Sequence, residues 1–156
     1  MGIDPGTTRI GFGIIRKEKG KLYPVRYGIL PHSPSDKYTE IKQVVNELQK
    51  LVRVQKPEIA AVEKIFFFKN QKTMVAVSEM RGVILATLAM LDLPIYEFTP
   101  LEVKQAVSSY GRAGKDQVEA MVRLILGLRE KIKPDDAADG LAIAICCANN
   151  ILPTDH

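Results

Sequence analysis

Apolar positions recur along the chain with two different periods, and the switches between them mark its elements. From Asp36 to Gln55 the residues Ile41, Val44, Val45, Leu48, Leu51 and Val52 fall at spacings of three and four, the signature of a helix with one buried face. Lys56-Pro57 ends it. Upstream, Arg9 to Arg16 is rich in β-formers, Glu18-Lys19-Gly20-Lys21 supplies a hairpin turn, and Leu22 to Leu30 reads as the returning strand. Before them stands a short apolar stretch, Met1 to Asp4. Central strands usually span about five or six residues, which leaves room for a start a few residues upstream of this numbering.

Beyond the Pro31–Asp36 loop and the first helix, Glu58 to Glu63 is a second short apolar run that ends in an acid. A helix is expected over Asn70 to Leu91, with Asn70 as N-cap. Its small residues Gly82, Ala86 and Ala89 favour close packing against another helix, including one from a second copy of the chain. Leu93 to Phe98 reads as a strand, and Thr99-Pro100-Leu101-Glu102 as a capping box with proline in the first turn of a helix that ends near Ser109. Tyr110 to Gly114 is a glycine-bearing loop, Lys115 to Leu126 a helix, and Asp135 to Asn149 the last helix. The order is a meander of three strands, then helix-strand-helix-strand, then helices. Strands separated by helices pair in parallel through right-handed crossovers. The expected architecture is α/β: a five-stranded mixed sheet, three antiparallel strands plus two parallel ones, flanked by helices.

This arrangement gives the acids a place. If the strand ending at Glu63 lies beside the strand ending at Asp4, both carboxylates finish on one sheet edge, about 4.8 Å apart strand to strand. Ligands of open α/β sheets gather at the carboxyl ends of the strands. Asp4 opens the turn Asp4-Pro5-Gly6-Thr7-Thr8, which is equally an ordinary turn signal. Asp136 and Asp139, three apart at a helix start, point to one side, and Asp135 points elsewhere. Capping and the helix dipole account for Asp135 or Asp136 but not for Asp139, a turn further in. The small residues of Gly140-Leu141-Ala142-Ile143-Ala144 let that helix lie tightly on the sheet. Four carboxylates without histidine or cysteine suit a hard cation, Mg²⁺ or Mn²⁺. Two such ions about 3.5–4 Å apart can drive in-line displacement at a phosphodiester.

Composition narrows the class. The chain has 156 residues, 46% of them hydrophobic, and a net charge of +4, which fits one domain with a sizeable core and a polyanionic partner. Basic residues Lys104, Arg112, Lys115, Arg123, Arg129, Lys131 and Lys133 cluster just before the acids Asp135, Asp136 and Asp139. That pattern is either a phosphate-binding face around a cation site or a solvated mixed-charge surface. Lys115 opens a helix against its dipole, which calls for a reason such as phosphate contact. Among Phe66-Phe67-Phe68, one exposed ring can stack on unpaired bases, while Phe67 and Phe68 also suit core or dimer contacts. Cys146 and Cys147 are adjacent and sit in an apolar helical run, which suggests buried free thiols in a reducing compartment. The sequence shows no signal peptide and no membrane-length apolar run.

Gly2-Ile3-Asp4-Pro5-Gly6, Val62-Glu63-Lys64-Ile65-Phe66, Arg81-Gly82-Val83, Val103-Lys104-Gln105-Ala106-Val107 and Asp136-Ala137-Ala138-Asp139-Gly140-Leu141-Ala142-Ile143-Ala144 together resemble the RuvC family of Holliday-junction resolvases. These are bacterial nucleases of the ribonuclease H-like superfamily. The resemblance runs nearly the whole chain and implies a single ribonuclease H-like nuclease domain over residues 1–156. It implies a homodimer with two active sites, and Mg²⁺-dependent paired nicking of strands of like polarity that leaves 5′-phosphate and 3′-hydroxyl ends. It places Asp4, Glu63, Asp136 and Asp139 on the family's metal-binding catalytic acids, Lys104 and Lys115 on residues that hold DNA near the cut, and Phe66 on the base-stacking aromatic. Arg112, in the glycine loop, joins the expected DNA-binding set. Cytoplasmic location and association with the bacterial branch-migration motor complex follow from the same resemblance.

Two other classes fit parts of this pattern. Actin-like and sugar-kinase ATPases use a similar Asp-x-Gly-Thr-Thr turn, but they need a second lobe for which 156 residues leave no room. A non-catalytic junction-binding module is expected to lack at least one of the four acids, and all four are present.

Overall fold

Lys19 and Gly20 take left-handed backbone angles, with φ of 50° and 79°, and turn the chain from β2 (Gly11–Glu18) into β3 (Lys21–Ile29). Two consecutive positive φ values match the right-handed twist of the flanking strands. The hairpin pairs from Glu18↔Lys21 to Gly11↔Ile29, with a bulge near Ile14 and Ile15. The computed structural model describes residues 1–6, 9–31, 33, 35–65, 71–109 and 111–151. Expectations that fall on Asn70 as a cap, on Phe66, Phe67 and Phe68, and on Thr7 and Thr8 lie outside these residues.

β1 (Gly2–Asp4) pairs antiparallel with β2 and parallel with β4 (Ala60–Glu63), and β4 pairs parallel with β5 (Ile95–Phe98). The sheet order is β3-β2-β1-β4-β5, so the short first strand is central. The sequence expectation of a mixed sheet holds. The strand starts differ: β2 begins at Gly11 rather than Arg9, β4 at Ala60 rather than Glu58, and β5 at Ile95 rather than Leu93. Pro57 and Pro94 lie just upstream of the two parallel strands and lack the amide a ladder needs.

The helices are α1 (Lys37–Gln55), α2 (Gln71–Ala89), α3 (Pro100–Ser108), α4 (Lys115–Leu126) and α5 (Asp135–Asn150). Local chemistry sets their ends. The Asp36 carboxylate accepts from the amides of Tyr38 and Thr39, both at 3.1 Å. Thr99 Oγ1 accepts from the Glu102 amide at 3.2 Å, while Glu102 accepts from the Thr99 amide at 2.6 Å, completing the expected capping box. α5 starts after Pro134, so neither Asp135 nor Asp136 is its cap.

The helices form two layers. α1 and α2 bury Val44, Leu48, Ile84 and Leu88 on one face of the sheet with Ile3, Phe12 and Val62. α3, α4 and α5 bury Val103, Val122, Leu141 and Ile145 on the other with Ala61. α5 lies backbone to backbone on β1 and β2. A Cβ on Gly140 would stand 2.5 Å from the Phe12 carbonyl carbon, and one on Gly13 2.5 Å from Leu141 Cα. Cys146 and Cys147 are buried free thiols of this helix, as expected. No helix among the described residues is long and apolar enough to cross a membrane.

Candidate active site

Strand alternation puts two acids on one side. Ile3 and Val62 are opposed on β1 and β4, and both are fully buried beneath α1 and α2. The next residues, Asp4 and Glu63, therefore face the α5 layer at the carboxyl ends of two adjacent parallel strands. Asp4 is also opposite Gly11 of β2. Gly11 lies so close beneath the Asp136 backbone that any side chain there would strike the Asp136 carbonyl oxygen. The missing side chain at Gly11 lets the first turn of α5 come down onto the sheet beside Asp4. Asp136 and Asp139 then stand over the same edge.

The electrostatics record this gathering. Burial, then the charges of Asp139 and Asp136, push the Asp4 carboxyl up to about 7. Burial, then Asp4 and Asp139, push Glu63 up to about 7 as well. Burial also raises Asp139, offset by Lys115, whose Nζ stands 3.5 Å from Asp139 Oδ2. Asp139 in turn raises the Lys115 ammonium. Arg9 pairs with Asp136 at 3.7 Å. Among the described residues no three acidic, histidine or cysteine side chains are drawn together as a ready metal cage. The donor chemistry nevertheless fits a divalent cation: four carboxylates, two of them buried with raised values, the other two met by side-chain cations.

The basic residues expected near the cut divide. Lys104, on α3, is near enough for its charge to favour the ionised form of Glu63, and Lys115 touches Asp139. Arg112 is exposed in the loop between α3 and α4, and among the described residues no ion pair joins it to the acids. Two further basic residues border the acids, Arg9 and Arg81. Arg9 meets Asp136 from the start of the chain, and no local spacing signals that contact. Arg81 reaches the far side of the site from α2, donating from Nε to the Glu63 carbonyl at 2.9 Å.

A central short strand between an antiparallel meander and a parallel pair, with acids at its carboxyl end, defines an α/β domain of the ribonuclease H-like class. A family model described as "Crossover junction endodeoxyribonuclease RuvC" matches residues 1–147. The chain belongs to the RuvC family. It is 45% identical over 154 residues to crossover junction endodeoxyribonuclease RuvC of Desulfitobacterium hafniense (strain DSM 10664 / DCB-2), covering 97% of this chain and 92% of that protein. It is 48% identical over 147 residues to the protein of that name from Syntrophomonas wolfei, covering 94% of this chain and 86% of that one. Its fold matches Thermus thermophilus RuvC solved in complex with a Holliday junction substrate, with a TM-score of 0.87, 33% identity, and coverage of 94% and 90% of the two chains. The yeast mitochondrial Holliday junction resolvase Ydc2, at 13% identity and a TM-score of 0.65 over 93% of this chain and 76% of that one, shares the fold.

Proposed function

We propose that residues 1–156 form one nuclease domain that resolves four-way DNA junctions by paired, symmetric nicks in strands of like polarity. The observation that carries this reading is the meeting of Asp4 and Glu63 with Asp136 and Asp139 on the α5 side of the sheet, in a chain of the RuvC family. These four carboxylates hold Mg²⁺, for which Mn²⁺ can substitute. Bound there, two divalent ions supply an activated water and charge stabilisation for hydrolysis to 5′-phosphate and 3′-hydroxyl ends.

The side chains around the acids supply the rest. Asp4, at the carboxyl end of the central strand, would be one of the groups that hold the metal. Lys115 is 80% exposed at the edge of the cluster, where it can turn from Asp139 to a phosphate oxygen. Lys104 approaches from α3 on the Glu63 side and holds the backbone of the cut strand. Arg112 extends this basic track along the loop before α4, and Phe66 stacks on a base near the junction centre.

Two clefts at fixed separation select a branched substrate, and α2 supports a homodimer that provides them. Val75, Gly82, Ala86 and Ala89 recur on one exposed side of this helix. A cytoplasmic setting and association with the branch-migration motor complex complete the reading.

The decisive experiment incubates the protein with a labelled four-way junction and a linear duplex of the same sequence, in Mg²⁺ or in EDTA. Junction cutting that depends on Mg²⁺ is expected. Equal cutting of both DNAs, or activity indifferent to EDTA, would overturn the proposal.

A further inference from the structure

Arg81 lies on α2, on the face of the sheet opposite α5, with its side chain only 17% exposed. Its Nε donates to the Glu63 carbonyl at 2.9 Å, and its terminal nitrogen forms an ion pair with the Glu97 carboxylate. These contacts fall where β4 leaves the sheet. Glu97 is opposite Val62 on β5, Phe98 is opposite Glu63, and the Lys64 amide donates to the Phe98 carbonyl at 2.8 Å as the rung just beyond. One guanidinium therefore ties three elements together at a single peptide.

That peptide carries a candidate catalytic acid. The side chain of Glu63 points toward α5 and Asp4, while its carbonyl is held from the other layer. A planar guanidinium with a fixed fork of donors suits this task, because one group satisfies a carbonyl and a carboxylate at set angles. A lysine offers a single charge centre and cannot hold both in the same geometry. The last residue of an edge-proximal four-residue strand otherwise frays with the chain that follows it.

We propose that Arg81 is a positioning residue for strand cleavage, fixing the Glu63 peptide from the far face of the sheet and so setting the Glu63 carboxylate beside Asp4. The inference rests on the reading of Glu63 as a metal-holding catalytic acid. It gives a role to the Arg81-Gly82-Val83 stretch that the active site does not otherwise use. Glu97 balances the Arg81 charge, and Arg81 approaches from α2, on the face of the sheet opposite α5.

The test uses the full chain with Arg81→Met, Arg81→Lys and Glu97→Gln, and Asp4→Asn as an inactive control. Single-turnover cleavage of a labelled four-way junction is measured against Mg²⁺ concentration, junction binding in EDTA, and amide exchange of Lys64 and Leu30 by NMR. Arg81→Met is expected to slow cleavage about tenfold or more and to raise the half-saturating Mg²⁺ several-fold, as loss of partners behind metal ligands generally does. Junction binding should stay within about twofold of the parent. The Lys64 amide should exchange faster while Leu30, bonded to the Ile10 carbonyl at 2.9 Å in the distant hairpin, keeps its protection. Arg81→Lys should recover part of the rate, and Glu97→Gln should fall between the parent and Arg81→Met. Parental rate and Mg²⁺ dependence in Arg81→Met would overturn the proposal, as would parallel losses of cutting and binding with Lys64 exchange unchanged. If the unmodified protein itself fails to cut the junction, the functional reading has failed, and the catalytic meaning of the clamp goes with it even where Lys64 exchange reveals the clamp.

Discussion

The Lys115 ammonium stands 3.5 Å from Oδ2 of Asp139, and its side chain is 80% exposed. With its lysine so exposed, the pair contributes little to stability, about 0–1 kcal/mol. In the proposed site its value is chemical: an exposed cation at the edge of an acidic cluster. Lys115→Ala should therefore leave the melting temperature within about 3 °C of the parent while slowing junction cleavage on the order of a hundredfold. The salt dependence of junction binding should lose about one phosphate contact from its slope. Thermal melts, single-turnover assays and binding titrations at several salt concentrations check this. A large loss of stability with cleavage intact would reverse the assignment.

Asp4 carries the opposite balance. Burial and the nearby charges of Asp139 and Asp136 push its carboxyl up to about 7, from 3.8. Ionising it in the folded protein is therefore costly in the absence of metal, and Asp4→Asn removes that cost. At pH 8 without metal the variant should be more stable by about 1–3 kcal/mol, roughly 3–9 °C in melting temperature. At pH 5 the folded carboxyl is protonated while the unfolded one is still largely ionised, so the gain should be smaller, and it should vanish only below about pH 4. The same variant should bind the junction and fail to cut it. Equal melting of variant and parent at pH 8 would show that Asp4 feels no such repulsion.

Asp4 and Glu63 together set the pH profile of the unmodified protein. Both folded values, about 7, lie above the ordinary carboxyl range. The folded state thus holds more protons than the unfolded state between about pH 4 and pH 7. The contribution of these groups to stability is full below about pH 4, falls as pH rises, and is gone above about pH 8. Mg²⁺ competes with those protons. At ten times its dissociation constant it should restore about 1.4 kcal/mol at pH 8 and little at pH 5. Melts at both values, with Mg²⁺ or EDTA, test this; a Mg²⁺ shift that is the same at pH 5 and pH 8 would contradict it.

What could be read from the residues alone was what local physics controls. The meander, the capping box at Thr99 and the bounds of α4 follow from turn residues, side-chain caps and periodicity. Asp4 and Glu63 could be paired because two apolar runs each ended in an acid and the intervening helix forced a parallel alignment. The strand starts were misplaced because Glu58-Ile59 and Leu93-Pro94 look like strand residues, yet the rungs begin at the Ala60↔Ile95 pair. Arg9 and Arg81 escaped for a different reason. Arg9 meets Asp136 across the whole length of the chain, and Arg81 meets the backbone of Glu63 rather than a side chain. Neither contact leaves a period or a motif. Apolar pattern shows that a side is buried, not which polar group is waiting across the layer.

Gly140 provides a packing test of the site. A Cβ there would come within 2.5 Å of the Phe12 carbonyl carbon, and the obstacle is backbone that cannot rotate aside. Gly140→Ala should lift α5 from β2, costing about 1–3 kcal/mol and lowering the melting temperature by roughly 3–9 °C. Asp139 precedes it directly, so cleavage should fall more than the stability loss alone explains. Gly114→Ala, where an added Cβ meets nothing within 4 Å, is the matched control and should be close to neutral. Similar melting of the two variants would mean that α5 is free to move away from the sheet at little cost.

Gly82 tests the proposed dimer separately from the monomer fold. An added side chain there meets nothing within 4 Å in a single copy, and Gly82 lies on the exposed side of α2 with Ala86 and Ala89. Val75 on the same side is 55% exposed, and Met90 beyond the end of the helix is 78% exposed. In a lone chain, then, Gly82→Ala should be tolerated, with a small gain from helix propensity. Gly82→Glu should also fold, but across a helix pair it buries an unpaired charge. Sedimentation velocity should find the parent dimeric and Gly82→Glu monomeric at the same concentration, with matching far-ultraviolet circular dichroism. The monomer should still present its four acids yet lose the paired timing of the two nicks, which a cruciform plasmid reads as nicked circles accumulating in place of linear product. A dimer that survives Gly82→Glu would move the interface away from α2.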